Sequence, residues 1–200
     1  PLDGGLPLNN FVIALADGSV HRYAKIHPFT YGGESDHYAA GDATCTVTIA
    51  GVRCSFFVCY DLRFADTFWS LAPQTDCYVV TANWPTVRRS HWTPLLRARA
   101  IENQCYVAAV NRVGADGNGV PHTGDSVVID FTGETIQSAA AGARIRVGDA
   151  EAGHRVAVGV RQRHDVRKLR PLVERRRPRR SRGPGARRSR SPSPTTRTPS

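Results

Sequence analysis

The chain has 200 residues, a formal net charge of +10, 40% hydrophobic residues, five cysteines and no methionine. It holds no run of 18 or more apolar residues, so no membrane-spanning helix is expected, and an odd cysteine count without CxxC or paired-histidine spacing argues against a zinc site or a disulfide framework. The charge is unevenly divided: residues 1–140 carry 9 Lys+Arg against 13 Asp+Glu, residues 141–200 carry 18 against 4, so the basic balance belongs to the last part and says nothing of what the rest binds.

In chain order, Phe-Val-Ile-Ala-Leu at residues 11–15 reads as a strand, and Asp17-Gly18 as a hairpin turn into a second strand over 19–24. That hairpin has little before it to pack on. Together with the missing methionine, this leads to the expectation that the chain is a fragment lacking an N-terminal part. Residues 44–49 and 52–59 read as strands around Ala50-Gly51, and 77–82 as another. Residues 90–103 read as a helix with Ser90 as its N-cap. A strand over 104–110, a Gly-rich loop over 114–119 and a strand over 126–131 turning at Thr132-Gly133 follow. Alternating strands and helices argue for an α/β arrangement. Cys45, Cys54, Cys77 and Cys105 fall in strand-like runs and read as buried thiols. Five free thiols suit a reducing cytoplasm. No charged-then-apolar leader is visible, although a truncated N-terminus would hide one.

Residues 165–170 read as a last helical turn or two. Residues 171–200, rich in Arg, Pro and Ser, bury too little apolar surface to offset ordering entropy and are expected to be disordered. The domain reading is therefore a catalytic unit over 1–140, an unassigned segment over 141–170 and a disordered tail over 171–200. Two origins of the tail compete: a basic arm for nucleic acid or an acidic partner, or a non-native reading frame. Arg appears 17 times after residue 140 and Lys once, with Gly, Ala, Pro and Ser filling most of the rest. These residues have GC-rich codons, and the composition favours the shifted frame.

The chemistry concentrates in Phe56-Phe57-Val58-Cys59-Tyr60-Asp61-Leu62-Arg63-Phe64. An apolar run ends in a thiol, and a helix-compatible stretch follows. Facing a helix N-terminus, Cys59 would sit in a positive field that lowers its pKa and raises the thiolate fraction. A free cysteine is more often a small buried hydrophobe, so the surroundings must decide.

They do so through a resemblance. The Cys59 segment resembles the nucleophile motif of the nitrilase superfamily, the carbon–nitrogen hydrolases. Tyr23-Ala24-Lys25-Ile26-His27-Pro28-Phe29 is similar to that family's lysine motif, and Glu34-Ser35-Asp36-His37-Tyr38-Ala39-Ala40-Gly41-Asp42 to the acidic segment after it. Asn83-Trp84-Pro85, His91-Trp92, residues 97–107, Asn111-Arg112-Val113-Gly114 and Gly124-Asp125-Ser126 continue the series in order. The likeness runs from about residue 9 to about residue 136 and is strongest to the omega-amidase branch, through Asn-Trp-Pro and Asp116-Gly117-Asn118-Gly119.

The resemblance implies a four-layer α-β-β-α sandwich, here incomplete at its N-terminus, and cleavage of a small linear amide, a 2-oxo acid amide, through a cysteine thioester. Cys59 would be the nucleophile, and Lys25 with the backbone N–H of Tyr60 the oxyanion site. Glu34 would be the accessory carboxylate. It also implies a general-base glutamate upstream of the lysine. Only Asp3 and Asp17 precede Lys25 as acids, neither in that setting, so no residue is assigned. Trp84 is expected to wall the pocket. Arg88 would hold a substrate carboxylate, although a surface arginine beside Arg89 is the more ordinary reading. Arg99 and Glu102, three apart on one helix, would pair in a structural role. No metal or organic cofactor is implied; family members commonly pair as homodimers. Two alternatives stand: an inactive nitrilase-like protein whose basic tail binds nucleic acid, and the same chemistry on a nitrile or N-carbamoyl amide.

Overall fold

In the computed structural model, which describes residues 5–139, two tight turns set the first four strands. β1 (Asn10–Ala14) and β2 (Val20–Ala24) pair antiparallel with Asn10 opposite Ala24. Gly18 supplies the turn with φ of 87°, and the Asp17 carboxylate accepts the Ser19 N–H at 2.8 Å. β3 (Thr46–Ile49) and β4 (Val52–Val58) are joined by Ala50 and Gly51, both at positive φ, the sign that matches the twist of a two-residue hairpin.

β4 runs parallel to β5 (Cys77–Ala82), and β5 to β6 (Tyr106–Asn111). Parallel neighbours need long crossovers, which α1 (Ala65–Leu71) and α2 (Arg89–Asn103) provide. A short hairpin, β7 (Val113–Ala115) with β8 (Pro121–Thr123), precedes β9 (Ser126–Ile129) and β10 (Thr135–Ala139). β9 joins β6 antiparallel, giving a six-stranded sheet ordered β10-β9-β6-β5-β4-β3. The fold is mixed α/β.

The core lies between this sheet and α1 with α2. Phe57 stacks on Phe68 of α1 at 3.8 Å between ring centroids, and Tyr78 meets Phe68 edge-on while its hydroxyl donates to the Phe68 carbonyl at 2.6 Å. Val80, Leu96, Val107 and Ile129 are fully buried around them. Each such apolar side chain contributes roughly 1.5–3 kcal/mol on burial.

Four expectations change. The first hairpin does find a packing surface: Phe11, Ile13 and Tyr23 share one face by the strand period, and Phe11 meets Phe56 and Tyr23 meets Phe57. Ser90 is not the N-cap of α2, because a 3₁₀ turn over Thr86–Arg88 runs straight into the helix and places Ser90 inside it. The segment 114–119 is not simply a loop: Asp116 accepts the N–H groups of Asn118 and Val120, each at 2.9 Å, and closes the β7–β8 hairpin. Cys54 and Cys105 are buried, but Cys45 and Cys77 are half-buried. No helix among the described residues is long and apolar enough to cross a membrane. The readings for residues 141–170, for the helical turn at 165–170 and for the tail at 171–200 lie outside the described residues.

Candidate active site

The three parallel strands end together, and in α/β sheets ligands gather outside such carboxyl ends. Cys59 is the first residue after β4 and turns the chain sharply, with φ of 50°. A non-glycine residue in that region stores about 1–3 kcal/mol that surrounding contacts must hold. Cys59 opens a 3₁₀ turn, Cys59–Arg63, which is braced from behind by α2. Buried Arg99 donates to the Leu62 carbonyl at 2.8 and 3.2 Å, lies over the Phe68 ring and pairs with Glu102 at 2.7 Å.

Lys25 follows β2 and is fixed on both sides of its backbone. Its N–H donates to the Asn9 carbonyl, and its own carbonyl accepts the Gly41 N–H at 2.7 Å. Gly41 has to be a glycine there, since a Cβ would lie 2.3 Å from the Ala24 carbonyl oxygen. The Lys25 side chain is only 3% exposed, and its Nζ meets Glu34 Oε2 at 2.5 Å. The Glu34 carboxylate also accepts from Asn9 Nδ2 at 2.8 Å and from the Phe29 N–H at 2.7 Å. Burial pushes Glu34 up, but the hydrogen bonds from Lys25, Asn9 and Phe29 outweigh it and hold the carboxyl below its ordinary value.

The Cys59 thiol does not carry the lowered pKa expected from the sequence. Burial pushes it above its ordinary value, further than the Lys25 charge and the Asn83 N–H pull it down; the Glu34 and Asp61 charges add to the rise. The supposed helix field is weak because a five-residue 3₁₀ turn follows the cysteine and α1 starts only at Ala65. The Tyr60 N–H lies in the first turn of that 3₁₀ segment, where amides have no partner within the helix.

Beside this cluster lies a cleft of about 310 Å³ lined by Phe29, Tyr31, Tyr60, Arg63 and Arg88. Arg88 sits over the Phe29 ring at 5.2 Å and Arg63 over Trp84 at 5.0 Å. Among the described residues neither guanidinium has a carboxylate partner. Trp84 itself is buried beneath Arg63, its indole N–H donating to the Arg88 carbonyl. Asn111 clamps the Trp84 turn by accepting its N–H at 2.7 Å and donating to its carbonyl at 3.0 Å. Among the described residues no group of three His, Cys, Asp or Glu side chains could hold a metal ion.

The structure thus brings Cys59, Lys25 and Glu34 into one electrostatic cluster and sets Tyr60 and Arg88 on the neighbouring cleft. Sequence reasoning missed Arg63, Phe29 and Tyr31 on the cleft and Asp61 beneath the turn. Arg63 and Asp61 belong to the cysteine motif itself, and their side chains carry the only charges in it. That was the available signal. Phe29 and Tyr31 carried none, because a loop gives no period.

The sequence pattern described as carbon-nitrogen hydrolase matches residues 3–152, beyond the expected 9–136 at both ends. The chain is 43% identical over 167 residues to the omega-amidase YafV of Yersinia enterocolitica, covering 81% of this chain and 64% of that protein. Identity to the omega-amidase YafV of Escherichia coli K12 is 48% over 145 residues, 72% of this chain and 56% of that protein. A 2-oxoglutaramate amidase of Bacillus subtilis is 36% identical over 132 residues, 64% of this chain and half of that protein. Among solved structures, a CN-hydrolase superfamily protein of Xanthomonas campestris with an arsenic adduct in its active site matches with a TM-score of 0.66 at 36% identity, covering 84% of this chain and 61% of that one. An amidase of Nesterenkonia with the acetamide moiety of fluoroacetamide on its active-site cysteine matches with a TM-score of 0.57 at 26% identity, covering 62% and 47%. The chain therefore spans less than two thirds of the length of these relatives.

Proposed function

The chain belongs to the carbon–nitrogen hydrolase family, and from that premise we propose that it acts as an amidase on small 2-oxo acid amides, with Cys59 as nucleophile. The observation that carries this reading is the Lys25–Glu34 pair, buried beside a cysteine held at a strained strand-exit turn. The Cys59 sulfur attacks the amide carbonyl carbon as its thiol proton is transferred away. The carbonyl oxygen becomes negative between Lys25 Nζ and the Tyr60 N–H, the kind of preorganised pair that stabilises a tetrahedral intermediate. Collapse breaks the C–N bond, the nitrogen takes up a proton and leaves as ammonia, and a thioester remains on Cys59. Water then attacks the thioester, with Glu34 orienting the lysine or the water, and releases the acid and the thiol.

The substrate class rests on the cleft. Arg88, with Arg63 across from it, offers guanidinium groups unmatched by any described carboxylate, and these suit an anionic substrate end. The names of the relatives, omega-amidase and 2-oxoglutaramate amidase, agree with an acid that carries both an amide and a carboxylate. We further place the protein in the cytoplasm as a homodimer, with the free thiols supporting the reducing compartment. Nucleic acid enters as a partner only if the basic tail is genuine. Measuring ammonia release from a 2-oxo acid amide, a nitrile and an N-carbamoyl amide side by side tests the reading. Turnover confined to the oxo acid amide is expected; a preference for the nitrile or the carbamoyl compound would move the protein to another branch.

A further inference from the structure

We infer that Asp61 is the positioning residue of the site: its buried carboxylate ties the lysine segment to the cysteine turn and so sets where Lys25 stands relative to Cys59. The inference rests on the amidase reading above for what that placement accomplishes.

The two catalytic segments belong to separate sheets. Lys25 follows β2 of the two-stranded sheet, Cys59 follows β4 of the six-stranded one, and no strand pairing connects the two. Asp61, 1% exposed, lies between them with both oxygens engaged. Oδ2 accepts the Val58 N–H at 2.9 Å, immediately before the nucleophile, and the Tyr23 hydroxyl at 2.8 Å, two residues before the lysine. Oδ1 accepts the His27 N–H at 2.9 Å and faces His27 Nδ1 at 2.9 Å, two residues after the lysine. The Tyr23 oxygen in turn accepts the Ile26 N–H at 3.3 Å. One carboxylate therefore holds the residues on both sides of Lys25 and the residue before Cys59.

The choice of residue follows from the donors. Four hydrogen bonds converge on two oxygens, which an ionised carboxylate accepts and a carboxamide, with one oxygen and an NH₂ group, does not. An unpaired buried carboxylate would be costly, so the four donors also explain how a charge persists here. His27 is fixed further by stacking on Phe64 at 3.7 Å, and its Nδ1 has to carry the proton to face the carboxylate. Asp61 contacts none of the proposed reacting atoms in this set of bonds and acts through the segments it joins.

The test combines three variants, Asp61→Asn, Tyr23→Phe and His27→Ala, each made alone and on a Lys25→Met background in the full chain. Two quantities are read: steady-state ammonia release, and the second-order rate of Cys59 alkylation by iodoacetamide, located by peptide mass. A misplacement of about 1 Å costs on the order of 100-fold, and Asp61→Asn is expected to lower kcat by that order with KM within about threefold. Tyr23→Phe and His27→Ala, each of which removes one tie and unburies no charge, are expected to lower kcat by about threefold to tenfold, applying a fraction of that cost. On the Lys25→Met background the same changes should add almost nothing to either rate, because the placement they protect has been removed. Thermal melts identify the folded variants; if Asp61→Asn does not fold, the Tyr23 and His27 variants decide. Folded variants within twofold of the parent, or losses that multiply with Lys25→Met, overturn the inference. Wild-type protein that is alkylated at Cys59 but releases no ammonia from any amide overturns the amidase reading instead, and the alkylation rates then decide the role of Asp61.

Discussion

β4 carries two buried regions that are built on opposite principles. At Phe57 the strand enters an aromatic core with Phe68 and Tyr78, closed by ring contacts and a single hydroxyl–carbonyl bond. Two residues later, at Cys59, it enters a corner where Lys25, Glu34, Asp61, Tyr23 and His27 are joined almost entirely by directional and charged bonds. Apolar packing is roughly proportional to area and tolerates adjustment. Buried polar networks are high-stakes, strong when every member is satisfied and costly when one is removed. Stability is thus concentrated in the first region, while geometry is concentrated in the second.

Substitutions in the two regions should then separate stability from chemistry. The largest expected effect is at Cys59→Ala, which should abolish ammonia release while the melting temperature stays within a few degrees of wild type; residual turnover would place the nucleophile elsewhere. Lys25→Met should lower kcat on the order of 100- to 1000-fold, the usual cost of one oxyanion donor, with a smaller change in KM. In the core, Phe68→Ala should cost about 3–5 kcal/mol of stability in a denaturant melt yet leave kcat nearly unchanged below the transition. A large kcat loss there would mean that the two regions are not separable. At the cleft, Arg88→Gln should raise KM for an oxo acid amide about tenfold, the scale of one charge-assisted hydrogen bond, and leave a neutral amide unaffected.

The smallest effect concerns pH. Glu34 is held below its ordinary value in the folded protein, so its pairing stabilises fully above the unfolded carboxylate pKa of about 4.3. That contribution is lost as pH falls through the lower folded value. Glu34→Gln should therefore flatten the acid side of a stability–pH curve and leave its neutral side displaced downward, as equilibrium melts from pH 3 to 7 would reveal.

The two regions also differed in how much the sequence disclosed. The core was legible because strands and helices repeat: the apolar run at 56–58, the strand at 77–82 and the pattern over 90–103 each carry a period. Boundaries shifted where a neighbouring turn took over, as at Ser90. In the polar corner, Cys59, Lys25 and Glu34 were recognisable by motif, but their environment was not. Whether Cys59 feels a helix or only a short 3₁₀ turn depends on where α1 starts, and its thiol is raised by burial that no linear pattern records. Asp61 stood in plain view in the cysteine motif, yet its partners at Tyr23 and His27 lie 38 and 34 residues away in the chain. Long-range polar convergence of that kind leaves no local signature.

The central claim, that the polar corner exists to let Cys59 form a thioester, is tested most directly by acid-quenching the protein during turnover of a 2-oxo acid amide and weighing the peptide that contains residue 59. An acyl group of the substrate's mass on Cys59, present at early times and lost as ammonia release stops, is the predicted result. Ammonia release with an unmodified Cys59 peptide at every time point, and undiminished in Cys59→Ala, would contradict it.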